Sequence, residues 1–325
     1  MIRFRFDRED LLRTRFAISP LCEVVWSTHV LRRPSEHSIH RPWADAARER
    51  LRGLDWSLLD TLANGAGSGY VPDFISPPPA TPLPDLPGEL ERVRATPHDQ
   101  VAREVAWRFE GEEVPAVARP LLDDPDRGLA ALAGGMAAYW ERAIEPWWPA
   151  IRAALEADVV HRARRLTTGG TIGVFDDLHP DVRWRDGSLE VRRPHEQEVV
   201  LAGRGLLLVP AAFAWPAVFA MTDEPWQPAV IYTPRGIGEL WSPPGAEDRA
   251  ALESLLGRRR AALLAELRAP AATTELARRL GASPAGVSEH LAVLRRAGLV
   301  HAWRDGRQVL YVRTPAGDAL LRAPR

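Results

Sequence analysis

The stretch TTELARRLGASPAGVSEHLAVLRRAGLV, residues 273–300, reads as two short helices around a tight turn. Thr273 is of the residue type that caps a helix start, and Glu275 places an acid in the first turn. Leu276 and Leu280 fall four apart on one face, and Gly281 is positioned to end the first helix. Ser283 caps the second helix, and Pro284 takes its first position, where the missing N–H is not needed. Val287, Leu291 and Leu294 recur at i, i+4 and i+7, so they face a core, and Gly298 closes the helix. The opposite face carries Ala285, Gly286, Ser288, Glu289 and Ala292.

That opposite face suggests a use. Small side chains let a helix backbone approach the floor of the DNA major groove, and Arg295 and Arg296 lie where backbone phosphates would be. Two alternating runs follow, LVHAW and RQVLYVR, about Arg304-Asp305-Gly306. They predict a β-hairpin beside the second helix, a wing with Arg304 and Arg307 at and beyond its tip. Upstream, AEDRAALESLLGRRRAALLAEL predicts one helix with a broad leucine stripe at Leu252, Leu255, Leu256, Leu263, Leu264 and Leu267, ended by Pro270. Charge agrees. From Ala246 to Arg325 there are 14 arginines against 8 acidic residues, a net +6, whereas the preceding part of the chain carries −7. A basic module on an acidic body suits a nucleic-acid reader attached to a separate domain.

The 273–300 stretch and the run WRDGRQVLYVRT resemble the ArsR/SmtB-like winged helix-turn-helix regulators, over about the last 75 residues. The resemblance implies contacts to double-stranded DNA from Thr273, Ser283, Ala285, Gly286, Ser288, Glu289, His290, Arg295, Arg296, Arg304 and Arg307. It implies a homodimer reading an inverted repeat. Metal sensing does not carry over: the family's site on the first helix of the pair needs cysteines, and TTELARRL has none. Asp318, His290 and His301 are the nearby residues of ligand type, without evident clustering. Glu289 departs from the family, which often has glutamine there. Its carboxylate either accepts from a cytosine N4 amino group or turns sideways to Arg296 or another arginine.

The rest of the chain is larger. Of 325 residues, 46% are hydrophobic and 26% charged, which is ordinary globular composition and enough for two domains. The single cysteine, Cys22, excludes an internal disulfide and a thiol-rich metal site. No long uncharged apolar run or signal-like start is evident, so no membrane span and a cytoplasmic location are expected. There is no lysine, and all 42 basic residues are arginine, in keeping with GC-rich coding as well as with phosphate contact.

IRFRF alternates as a strand, and the segments from residue 7 to 64 read as helices with a break at Pro20. GAGSGY is a turn, and SPPPATPLPDLP at 76–87 reads as an extended spacer. Helices return between residues 88 and 170. Then DVRWRDGSLEVRR gives a hairpin about Asp186-Gly187, EVVLAGRGLLLVPAAF suggests a second about Gly203 and Gly205, and PAVIYTPRG adds a strand. The fold class is α+β, mostly helical. Residues 1–242 form a helical domain with a small antiparallel sheet, and 243–325 a winged helix-turn-helix, with WSPPGAED at the boundary.

DLLRTRFAISPLCEVVWSTHVL, HRPWADAARERLRGLDW, GYVPDFISPPP and GRGLLLVPAAFAWP resemble the N-terminal domain of unknown function that precedes such winged helices in bacterial regulators. This implies a regulator and names no ligand. No nucleophile elbow, P-loop, dinucleotide fingerprint or HExxH occurs, TTGGTIG follows a helix instead of opening one, and no cofactor is expected. His37 and His40 in EHSIHRPW lack an evident third ligand. Twelve tryptophans suggest a pocket for a flat or greasy ligand between the long helices and the sheet, near Trp140, Trp147, Trp148, Trp184 and Trp215. The sequence therefore describes a transcription regulator, with repression the expected effect, and no enzyme. Its N-terminal domain either senses a small-molecule effector or supplies the dimer surface. An enzyme or interaction platform with a structural winged helix is the alternative.

Overall fold

The computed structural model describes residues 1–64, 70–241, 252–267, 271–305 and 308–321. The chain divides into two compact units, Met1–Trp241 and Ser242–Arg325. The fold is α+β.

In the N-terminal unit the order is β1 (Ile2–Arg5), α1 (Arg8–Arg13), β2 (Arg15–Phe16), α2 (Pro20–Arg32), α3 (Arg41–Arg50), α4 (Ser57–Asn64), α5 (Leu86–Arg94), α6 (His98–Arg108), α7 (Pro120–Asp123), α8 (Pro125–Tyr139), α9 (Trp148–Gly173), and then β3 (Val182–Arg185), β4 (Ser188–Val191), β5 (Gln197–Val200), β6 (Leu207–Pro210), β7 (Phe219–Met221) and β8 (Ala229–Tyr232). Helix starts follow local chemistry. Asp7 and Asp10 make a reciprocal capping box on α1, and the Ser19 hydroxyl accepts the Cys22 N–H ahead of Pro20 on α2. The GAGSGY turn falls largely on residues 65–69, outside the described residues.

The strands form two four-stranded mixed sheets, ordered β3-β4-β1-β5 and β2-β6-β8-β7. The β3–β4 hairpin turns at Asp186 and Gly187, both at positive φ, as the Asp-Gly pair predicts. The expected hairpin about Gly203 and Gly205, and with it the small antiparallel sheet, is not what forms. β5 runs parallel to β1 in one sheet, and β6 runs parallel to β2 and β8 in the other. Helix α1 is the reason. Gly203 accepts a hydrogen bond from Arg13 (2.7 Å), and the Gly205 N–H donates to Asp10 Oδ1 (3.0 Å). Gly205 has φ +67° and packs so closely on Arg13 that a Cβ would lie 2.6 Å from its carbonyl carbon. The glycines thus serve an approach to α1, and the strands on either side of them go to separate sheets.

The proline segment is also more than a spacer. Residues 76–79 are buried, Pro78 accepts from Arg92, and Pro82 accepts the Ile18 N–H at 2.9 Å. Two cores result. One joins α2–α9 to one face of the second sheet, with Trp43 fully buried and its Nε1–H donating to the Ala143 carbonyl at 2.8 Å. The other lies between the sheets around Phe4, Phe175, Leu189 and Tyr232.

Glu23 joins α2 to the turn after β6. It is fully buried, its Oε1 accepting the Ala212 N–H (2.7 Å) and its Oε2 the Phe213 N–H (3.1 Å). Burial pushes its carboxyl from 4.5 up to about 7, against the two hydrogen bonds, which pull it down. The folded chain therefore holds a proton that the unfolded chain releases across this range. Glu23's contribution to stability is full below pH 4.5 and is lost as pH rises to about 7. In Glu23→Gln that titration is absent. Urea unfolding at pH 4.5 and 7 should show the wild type losing about 3 kcal/mol relative to the variant over the interval. A pH-independent difference would refute the assignment.

Candidate nucleic-acid interface

The C-terminal unit contains α10 (Arg258–Glu266), β9 (Ala271–Ala272), α11 (Thr273–Leu280), α12 (Pro284–Arg296), β10 (Val300–Asp305), β11 (Gln308–Arg313) and α13 (Pro315–Leu321). The long upstream helix is interrupted. Residues 252–256 are helical, Gly257 leaves the helix at φ +82°, and α10 starts afresh. The leucine stripe divides accordingly, with Leu263, Leu264 and Leu267 buried and Leu255 69% exposed. Pro270 and the beginning of that segment, 246–251, lie outside the described residues.

Thr273 is not the cap of α11. Ala272 occupies that place without a side-chain cap, because β9 pairs with β11 and delivers the chain to the helix in extended form. Thr273 is the first helical residue and half-buried. Gly281 then ends α11 in the left-handed conformation, and Ser283 Oγ accepts the Gly286 N–H at 3.2 Å to start α12. Val287, Leu291 and Leu294 anchor α12 on a core with Leu263, Leu264 and Leu276.

With that side buried, α12 turns the other to solvent. Ser283, Ala285, Ser288 and Glu289 are exposed, and Gly286, His290 and Ala292 are half-buried. Arg295 and Arg296, in the last turn, are exposed and have no ion-pair partner among the described residues. The same holds for Glu289, so the sideways pairing with Arg296 is not made. Other arginines of this unit are engaged: Arg279 bonds Glu275 at 2.5 Å and lies 3.8 Å from Glu266.

The wing is present as an antiparallel β10–β11 pair running from Val300↔Arg313 to Asp305↔Gln308. Arg304 is exposed on β10, and Arg307 lies outside the described residues. One surface feature of the wing lies outside the candidate residues named from sequence. His301 and Trp303, two apart on β10, are both exposed, and their rings stand 6.2 Å apart and nearly parallel. Strand alternation within HAW carried that signal.

Comparison with known families now divides the chain. Residues 258–301 match a helix-turn-helix domain. This is the module of DNA-binding transcription regulators, and it covers α10, α11 and α12 as described. Residues 94–236 match a family of unknown function, DUF5937. No curated protein and no solved structure matches the chain.

The expected tryptophan pocket is not assembled. Trp184 stacks on Phe175 (5.1 Å) and packs against Phe6 in the core between the sheets. The other four belong to the helical core: Trp140 meets Trp148 at 5.1 Å, Trp147 meets Trp241 at 5.6 Å, and Trp215 edges onto His37 and His40. Trp184 lies on β3, whose alternation turns it toward a different core. His37 and His40 are likewise structural: His37 Nδ1 pairs with the Trp215 carbonyl at 2.6 Å, and His40 Nδ1 accepts from Trp241 Nε1 at 2.8 Å. Among the described residues no group of three His, Cys, Asp or Glu is placed to hold a metal, and no helix is long and apolar enough to cross a membrane.

Proposed function

We propose that this chain is an ArsR-like transcriptional repressor, acting in the cytoplasm as a homodimer on an inverted repeat. The observation that carries the reading is the exposed face of α12. Small side chains stand over its first turns, and its last turn holds two arginines that have no ion-pair partner among the described residues. A small-residue face admits the helix to the major groove, and end arginines reach flanking phosphates. Two-fold symmetry places the recognition helices about 34 Å apart, one turn of DNA. The N-terminal unit performs no catalysis in this reading. It binds a small-molecule effector and favours a dimer whose helix spacing no longer matches the operator, which requires different effector affinities in the two states.

A gel-shift titration on the DNA upstream of the chain's own coding region tests this. Sequence-selective, salt-sensitive retention is expected. Arg295→Ala/Arg296→Ala should reduce the slope of log affinity against log salt by about 1.8, at about 0.9 for each phosphate no longer neutralised. An unchanged slope would remove both arginines from the interface, and no retention at low salt would refute the regulator reading. Glu289→Gln on the mapped operator should alter site preference at one base pair if the carboxylate accepts from cytosine.

A further inference from the structure

A cavity of about 630 Å³ opens in the N-terminal unit, in the volume range of sites for drug-sized ligands. Its walls come from α2, α4, the 70–76 segment, the strand entering β5, and β7 with its flanks. None of the five tryptophans singled out from sequence lines it. The apolar wall is Trp26, Phe219 and Met221, and the Trp26 and Phe219 rings stack at 3.7 Å.

The polar side carries ionisable groups of both signs. Asp73 lines the cavity and is 8% exposed, and its buried Oδ2 has no hydrogen-bond partner among the described residues. Two further carboxylates, Glu104 and Asp223, act on it. The Glu104 oxygens are already committed: Oε2 accepts the Phe74 N–H (2.8 Å), and Oε1 accepts from Gln100 Nε2 (2.8 Å) and Trp226 Nε1 (2.9 Å). Burial first, and then these two neighbours, push the Asp73 carboxyl well above its usual range. The buried His29 Nε2 likewise has no partner among the described residues, and burial holds this imidazole neutral by lowering it to about 4. Two arginines also line the cavity: Arg33 is exposed beside the exposed Glu36, and Arg193 is half-buried and bonded to the neutral Arg192 carbonyl at 2.9 Å, which leaves its positive charge in place.

A cation entering beside Asp73 would favour its ionised form against burial and the two neighbouring acids, and the stacked aromatic rings suit a cation's face, whereas an anion gains neither. We propose that this cavity binds an aromatic organic cation, with Asp73 as its counter-ion and the Trp26–Phe219 pair as the wall for its rings. As the signal input, this rests on the regulator reading. The binding itself does not, and it is measured without DNA.

The test is a calorimetric titration of the full chain with two ions of the same shape and opposite charge, tetraphenylphosphonium and tetraphenylborate. The cation should bind roughly tenfold or more tighter than the anion. Asp73→Asn should weaken the cation by roughly tenfold or more and leave the anion unweakened, with thermal unfolding unchanged to show that the fold is kept. Equal affinities, no cation binding, or an Asp73→Asn chain that binds the cation as the wild type does would each overturn the proposal. If Asp73→Asn does not fold, the two-ion comparison on the wild type decides. A chain that selects the cation but retains no DNA keeps the cavity assignment and loses the regulator reading. A chain that retains DNA without selecting the cation does the reverse.

Discussion

Replacing Arg162 by methionine should lower the unfolding free energy of the N-terminal unit by about 3–5 kcal/mol. Arg162 and Asp158 sit one turn apart on α9, with side chains 1% and 0% exposed and a 2.9 Å ion pair. Arg162 also donates to the carbonyls of Val174 (3.3 Å), Asp176 (3.1 Å) and Asp177 (3.2 Å), which pins the chain leaving α9 where Asp177 turns through φ 61°. The guanidinium lies 4.7 Å from the centre of the Tyr232 ring. On the other side, Asp158 accepts from the Tyr232 hydroxyl (2.7 Å) and the Arg235 N–H (3.1 Å). Methionine fills most of the volume but leaves a buried carboxylate facing no cation, and frees three carbonyls. Denaturant unfolding measures the loss. Adding Asp158→Asn should restore part of it, because the second change removes the stranded charge. A loss below about 1 kcal/mol would show that water reaches the pair and that the network is not what closes this core.

Leu291→Ala should cost the C-terminal unit about 2–5 kcal/mol and abolish DNA retention with it. Leu291 is fully buried on α12, in a core that also takes Leu263, Leu264, Leu276, Val287 and Leu294. The cavity left would lie under the very helix whose outer face carries the proposed contacts. A small domain has only some 5–15 kcal/mol of stability in total, so the expected loss reaches the scale at which it unfolds. Eleven of the twelve tryptophans lie in Met1–Trp241, so tryptophan emission follows the N-terminal unit while circular dichroism follows both. The emission transition should stay where it is in the variant. Wild-type DNA affinity in Leu291→Ala would mean that α12 is not the reading helix.

Part of this architecture is legible in the amino-acid sequence. Ser283, Pro284, Gly281 and Gly298 carry their instructions within a turn of chain, and the i, i+4, i+7 spacing of Val287, Leu291 and Leu294 needs only the helical period. The Asp186-Gly187 hairpin is equally local. Even here a neighbour in space could override: Thr273 has a capping side chain, but the pairing of β9 with β11 sets the start of α11 at Ala272.

Local grammar also explains the errors. Gly203 and Gly205 look like a hairpin turn because glycine marks turns, but glycine also permits close approach, and the partner that approaches is Arg13, about 190 residues earlier in the chain. Counting tryptophans located large apolar groups without saying which core each enters, and Trp184 went to another.

What the sequence alone determined is the helix-turn-helix pair, its Gly281 and Ser283 ends, the buried and exposed faces of α12 and the module's basic charge, because those depend on residues a few positions apart. What only tertiary structure decided is the pairing of β1 with β5 and of β2 with β6, and the meeting of Trp26, Asp73 and Phe219 around one cavity. Parallel strands take their partners from distant chain, and a cavity is bounded by whichever elements those pairings bring together.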